Sequence, residues 1–226
     1  MKADLHVHTN YSYDSISSPQ EIVKKSIEKG IDCIAVCDHG ETRGAVKAIK
    51  FAFDKPLLII PGIEIKSKEG DIIGLNVKKR IPKGLSARET ILEIKKAGGF
   101  VVIPHPFGFN CSFKDDLEKI VSLIDAVEVL NANIFKKDNQ RALAFAQKHN
   151  LPFTAGSDAH SSKSLGRAYL EIPSNNLSIQ QIFDAIKKKQ VKVVGKESNF
   201  LEKGIDFSKR NLAKIKHCVS RKKTTI

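Results

Sequence analysis

Nowhere do the 226 residues hold a run of about 18 consecutive apolar side chains, the length a membrane-spanning helix needs. The opening segment has no apolar signal region either. A charged, histidine-bearing stretch starts at once, so the expected setting is soluble and cytoplasmic. Cysteine is scarce, at four residues, and none has the spacing of a metal knuckle: Cys33 and Cys37 are four apart, and Cys111 and Cys218 are isolated. They read as thiols of a reducing compartment. Neither a GxSxG elbow nor a P-loop occurs, so no activated serine and no phosphate-cradling glycine loop is indicated. Internal repeats, low-complexity tracts and Pro/Gly-rich linkers are also missing. One domain over residues 1–206, followed by a basic helix or tail over 207–226, is the simplest reading.

Positive charge is in excess. The formal net charge is +13, and the last 18 residues, KRNLAKIKHCVSRKKTTI, carry seven Lys or Arg and no acid. Such a tail can hold nucleic acid by counterion release. It can equally be a solvated end that keeps the protein soluble, since no aromatic residue interleaves with its charges. The basic balance of the rest suits an anionic substrate without naming one. At 41% hydrophobic residues, the chain can build a sizeable core.

Apolar runs of strand length alternate with segments of helical period. Strands are expected at 2–8, 31–37, 57–65, 71–77, 100–104, 125–130, 151–156, 167–172 and 191–194, with 71–77 antiparallel to its neighbour. Helices are expected at 18–30, 42–53, 87–97, 114–123, 136–148 and 178–188, and one more from 207. The first has a capping box of Ser18 and Glu21, Pro19 in its first turn and Gly30 as its stop. This alternation predicts parallel strands wound into an α/β architecture.

The opening DLHVH places Asp4, His6 and His8 on one face of a strand and Ala3, Leu5 and Val7 on the other. Further polar groups fall at or just past other strand ends: Asp38 and His39 after 31–37, Glu64 near the end of 57–65, His105 after 100–104, and Asp158 and His160 after 151–156. In α/β barrels that end of the sheet holds the active site. Parity continues the inward face of each strand into its candidate: Cys33, Ala35 and Cys37 into His39, Leu58, Ile60 and Gly62 into Glu64, and Val101 and Ile103 into His105. Five of the seven histidines fall in this set, and His149 and His217 read as surface residues. Singly, each group has an ordinary reading: a hydrogen-bonded His105, Asp38 as a helix cap or support, a loop turn at Asp158. Jointly they form a mixed N/O donor set suited to Mn, Zn or Fe. It exceeds one tetrahedral site and suggests two or three divalent metals with Glu64 bridging, an arrangement suited to displacement at phosphorus.

The ordered motifs HVH, DHG, GIE, HP and GSDAH over residues 3–172 resemble those of the PHP (polymerase and histidinol phosphatase) superfamily of metal-dependent phosphoesterases. The resemblance implies a distorted (β/α)7 barrel, TIM-barrel-like, with up to three metals. It implies that His6 and His8 hold one metal with Glu64 and Asp158, that Glu64 bridges to a second held also by His105, and that His39 and His160 hold a third. Asp14 stands where relatives carry a His or Asp ligand, with a turn residue as its ordinary alternative. Asp71 takes the place of a histidine that relatives often have before an IxGL strand. Glu128 and Asn131 in VEVLNA, and Arg167 in SLGRAYLEI, also look family-like, as residues that touch substrate or orient ligands. Arg43 and Lys66 follow strand ends and are further candidates to touch substrate.

The resulting expectation is a hydrolase of phosphate esters using a metal-activated water, a phosphatase or an exonuclease. A nucleotide or oligonucleotide is favoured and a small phosphomonoester such as histidinol phosphate is possible. The alternatives are a non-catalytic RNA-binding protein on the same scaffold, as in an RNase P subunit, and an amidohydrolase, whose usual HxH-to-lysine arrangement is not evident.

Overall fold

A computed structural model of the chain describes residues 1–108, 113, 117–198, 208, 211, 213 and 214. The strands are β1 (Lys2–Val7), β2 (Cys33–Val36), β3 (Leu58–Lys66), β4 (Asp71–Leu75), β5 (Phe100–Ile103), β6 (Ala126–Asn131), β7 (Phe153–Gly156), β8 (Ala168–Glu171) and β9 (Lys192–Gly195). The helices are α1 (Pro19–Glu28), α2 (Arg43–Ala52), α3 (Ala87–Lys96), α4 (Leu117–Ile120), α5 (Lys136–Lys148) and α6 (Ile179–Lys187). Capping boxes start α1 at Ser18/Glu21, α3 at Ser86/Glu89 and α6 at Ser178/Gln181, satisfying the first free N–H groups of each helix. The helix expected over 114–123 is α-helical only at Leu117–Ile120 and continues as a 3-10 turn, Val121–Leu123; 114–116 lie outside the described residues. Most of the helix expected from 207 also lies outside them; Ser208, Asn211, Ala213 and Lys214 are helical. No described helix is long and apolar enough to cross a membrane.

The strands form one sheet in the order β7-β6-β5-β4-β3-β2-β1-β8-β9. Pairing is parallel from β1 to β3 and from β5 to β7, and β4 runs antiparallel between the two sets. The sheet nearly closes on itself. His8 N–H donates to Ala159 O at 3.0 Å, and Asp158 N–H donates to His6 O at 2.8 Å, joining the end of β1 to the chain leaving β7. The start of β1 instead pairs antiparallel with β8, through Lys2–Glu171 and Ala3–Leu170. The result is a mixed α/β barrel whose parallel strands open their C-terminal ends to one mouth.

Residues from eight strands meet in one buried cluster, and only the barrel interior can bring them together. Ala3, Leu5, Cys33, Ala35, Cys37 and Ile60 belong to it, and α6 closes the far end with Ile182, Phe183 and Ile186. Phe183 stacks on Phe100, with centroids 4.5 Å apart. Two further clusters lie between the outer sheet face and the helices.

Two parity expectations are corrected here. Inside the barrel β5 presents Phe100 and Val102, whereas Val101 and Ile103 face the outer helices. His105 still reaches the interior because its backbone turns to φ +30°, which breaks the alternation of the strand. In β1, Ala3 and Leu5 face inward and Val7 outward. The pairing of β1 with β2 shifts register between Asp4 and Val7, so Asp4 does not share the face of His6 and His8.

Truncating Phe183→Ala removes a ring from the sealed end of the interior. Urea denaturation should show a loss of about 3–5 kcal/mol.

Candidate metal centre

The mouth collects side chains from the ends of five strands. His6 lies near the end of β1, within the register shift between Asp4 and Val7, and His8 follows the strand. His39 and Glu64 meet across a bridge between the chain leaving β2 and β3. His105 follows β5, and Asp158 and His160 follow β7, with Asp158 at φ +50°. Sparsely populated backbone angles at both His105 and Asp158 are held by their surroundings, a pattern that concentrates at functional sites. Asp14 enters from the loop after β1. All these residues are buried except His39, whose side chain is 21% exposed.

Glu64 is central. Its Oε1 lies 3.2 Å from His105 Nε2. Its Oε2 lies 3.6 Å from His6 Nε2, 3.4 Å from His8 Nε2 and 3.0 Å from His39 Nδ1. Asp158 Oδ1 is 3.6 Å from His6 Nε2, 3.3 Å from His8 Nε2 and 3.4 Å from His160 Nδ1. Asp14 Oδ1 is 3.4 Å from both His39 Nε2 and His160 Nε2. Three overlapping groups could each hold a metal ion: His6, His8 and Asp158; His6, Glu64 and His105; and His8, His39 and His160, the donor atoms of each within 4.8 Å of one another. Glu64 Oε2, His39 Nε2 and His160 Nε2 are buried and make no hydrogen bond. The Nε2 atoms of His6 and His8 face each other at 3.1 Å. Buried polar atoms are normally satisfied, and cations placed among these would satisfy them, so the donor set fits divalent metals.

The electrostatics agree. Burial opposes ionisation of Glu64 and Asp158, yet the surrounding imidazoles hold both carboxyls well below the usual range. For Asp14, burial is likewise outweighed by His160 and His39. Burial would lower His39, but Glu64 and Asp14 push it up to about 10. Burial lowers His8 to about 3, helped by His160 and His39. The charges that balance each other here are the carboxylates and the imidazoles that share them.

A second layer holds the donors in place. Glu128 Oε1 is 3.1 Å from His6 Nδ1, and its Oε2 accepts from the His105 backbone N–H and from Asn131 Nδ2, both at 2.9 Å. One carboxylate thus holds the His6 ring, the usual partner arrangement of a ligating imidazole, and the backbone of His105 from another strand. Asp38 is no ligand in this geometry. It accepts from Thr9 N–H, Thr9 Oγ1 and Ser12 Oγ, and Ser12 Oγ lies 3.0 Å from His8 Nδ1. Burial pushes Asp38 up to about 6 against those hydrogen bonds. Asp4 faces away, accepting from Ser157 N–H at 2.9 Å, Ser157 Oγ at 2.6 Å and Gly166 N–H at 2.9 Å. It pins β1 to the segment carrying Asp158. Gly156 leaves no room for a side chain: a Cβ would overlap the His6 Cβ and come within 2.8 Å of its backbone nitrogen.

The other candidates lie further out. Asp71 is half-buried and feels Glu64 and His105, burial and the Glu64 charge raising its pKa, but it belongs to none of the three donor groups. Arg43 is engaged with Glu41 at 2.7 Å, and Lys66 is exposed. Arg167 donates to Ser198 Oγ at 2.6 Å, so its guanidinium ties the segment after β9 to the rim. His149, expected at the surface, is partly covered and pairs with Glu118 at 2.8 Å. His217 lies outside the described residues. The reading from motifs missed Ser12, Thr9, Ser157 and Gly156; the small and hydroxylated residues of HTNYS and TAGSD were the available signal.

A family model for the PHP domain matches residues 4–121, and a PHP-associated model matches residues 136–191. The chain belongs to the PHP domain family. This PHP protein is 30% identical over 215 residues to an uncharacterized protein of Methanocaldococcus jannaschii, covering 89% of this chain and 86% of that one. It is 37% identical over 86 residues to a 5'-3' exoribonuclease of Haemophilus influenzae, covering 36% of this chain and 31% of the enzyme. Its fold resembles a two-domain protein of Bacteroides vulgatus containing a predicted PHP-like metal-dependent phosphoesterase. That likeness has a TM-score of 0.75 and 19% identity, and covers 87% of this chain and 65% of the other.

Two substitutions test the second layer. Glu128→Gln should weaken metal affinity about 10–100-fold in a chelator competition while the fold persists. Gly156→Ala should displace His6 and reduce the metal bound per chain, read by elemental analysis after dialysis against manganese.

Proposed function

We propose that this PHP protein hydrolyses a phosphate ester, with two or three divalent cations, Mn, Zn or Fe, held by His6, His8, Asp14, His39, Glu64, His105, Asp158 and His160. The observation that carries this reading is Glu64, whose two oxygens face four histidines from three different segments, the ends of β1, β2 and β5. Divalent ions bound there supply Lewis acidity and lower the pKa of a water to near neutrality. The chain's own residues do the positioning. Glu128 takes the His6 Nδ1 proton in a hydrogen bond and so leaves Nε2 as the donor. Ser12, held by Asp38, does the same for His8. Asp71 stands beside the centre as a further carboxylate, outside the donor groups. The interior below the mouth is apolar and closed by α6, so water and phosphate approach only from the open end.

A nucleotide or oligonucleotide is favoured over a small phosphomonoester. The net charge of +13 supports a polyanionic substrate, as does the partial likeness to an exoribonuclease. The retained donor set counts against the alternative of a metal-free RNA-binding scaffold.

The test is direct. The purified protein should contain metal and should cleave an aryl phosphate in the presence of manganese. His6→Ala and Asp158→Ala should each lower kcat by more than about 100-fold, beyond the loss expected of a supporting residue. Full activity in both variants, or cleavage that persists after complete chelation, would contradict the proposal.

A further inference from the structure

Beside the centre, two tyrosines of the loop after β1 reach the rim. The Tyr13 ring is 44% exposed and stacks on His39, with centroids 5.0 Å apart and planes at 24°. The half-buried Tyr11 ring is flanked by Arg43 and Lys47, each 5.4 Å from its centroid. These two cations are one turn apart on α2, so one helix face presents both to the ring. The segment after β4 adds more charge to the same side of the mouth. Lys78 is brought there by a hydrogen bond from Thr42 Oγ1 to its carbonyl, 3.3 Å, and Arg80 by donation from its Nε to Gly40 O, 3.1 Å. Arg43 shares its charge with Glu41, but no ion pair among the described residues engages Lys47, Lys78 or Arg80.

From this juxtaposition we infer that the rim formed by Tyr11, Tyr13, Arg43, Lys47, Lys78 and Arg80 is a binding track for single-stranded nucleic acid. The inference rests on the phosphoester reading for where the strand's reacting phosphate lies. Aromatic faces interleaved with cations are what a single strand uses, bases stacking on rings and phosphates meeting the charges. A duplex keeps its bases stacked on one another and cannot offer them to the tyrosines. A small phosphomonoester would need neither ring. Tyr13 links the track to the centre, because the ring that holds His39 is the one facing outward. The basic C-terminal tail lacks such rings in its own sequence, but its Lys214 reaches the Tyr13 ring, with Nζ 5.8 Å from the centroid, and so borders the track.

Binding can be read without hydrolysis. In EDTA, fluorescence anisotropy would follow a labelled strand of about 12 nucleotides and its duplex, within the span such surfaces cover. The full-length protein should prefer the strand. Tyr11→Ala, and separately Lys47→Ala with Arg80→Ala, should each weaken strand binding by about tenfold. Tyr11→Phe should restore most of the affinity, and Lys95→Ala with Lys96→Ala, at the far end of α3, should not matter. Circular dichroism melting establishes that each variant is folded. Equal affinity for duplex and strand would overturn the inference. So would loss of binding in Arg221→Ala/Lys222→Ala/Lys223→Ala alone, with the rim variants unaffected. Aryl phosphate cleavage by a wild type that binds no strand would sink the track and leave the hydrolase standing. Strand binding without any cleavage would do the reverse.

Discussion

Buried carboxylates without enough positive charge are the constraint around which this molecule is arranged. Glu64 and Asp158 are deep in the mouth of a barrel, where an unpaired anion costs several kcal/mol. Imidazoles compensate them, brought by the ends of β1, β2, β5 and β7. The fold's regular part gathers these ends; its irregular part aims them. The register shift in β1, φ +30° at His105 and φ +50° at Asp158 are all departures from strand geometry, and each turns a donor into the mouth.

The layer behind the donors explains how a cluster of like groups stays ordered. Glu128 joins β6 to both His6 and His105, and Asp4 joins β1 to the β7 exit through Ser157. Asp38 ties the loop after β1 to the chain after β2. Asp4 and Asp38 accept from backbone and hydroxyl donors, and Glu128 accepts from a backbone N–H, an amide and the far nitrogen of His6, whereas Glu64, Asp158 and Asp14 face imidazole nitrogens across the mouth. The division of labour follows from which groups surround each carboxylate, and it separates supporting acids from candidate ligands without any metal being seen.

Much of this was legible in the sequence. The strand–helix alternation located most elements to within a residue or two, α1 and α3 among them, because amphipathic period and capping boxes are local signals. The strand-end positions of His39, Glu64, His105, Asp158 and His160 were equally local. The sequence could not reveal where alternation fails. Val101 and Ile103 were read as the inward face of β5, and Asp4 as a companion of His6, because a strict period of two carries no sign of a bulge or a positive φ. Asp71 was matched by motif position and stands half-buried beside the centre, within reach of the Glu64 and His105 charges. The Tyr11 cluster was not legible at all, since Arg43 and Lys47 meet that ring only through the packing of α2 against a distant loop.

The most direct test is diffraction from crystals grown with manganese, with data collected at the metal's absorption edge. Anomalous peaks should lie between Glu64 and the imidazoles of His6, His8 and His105, and between Asp14, His39 and His160. A map with no peak in the mouth at saturating manganese, the same side chains remaining in place, would contradict the account.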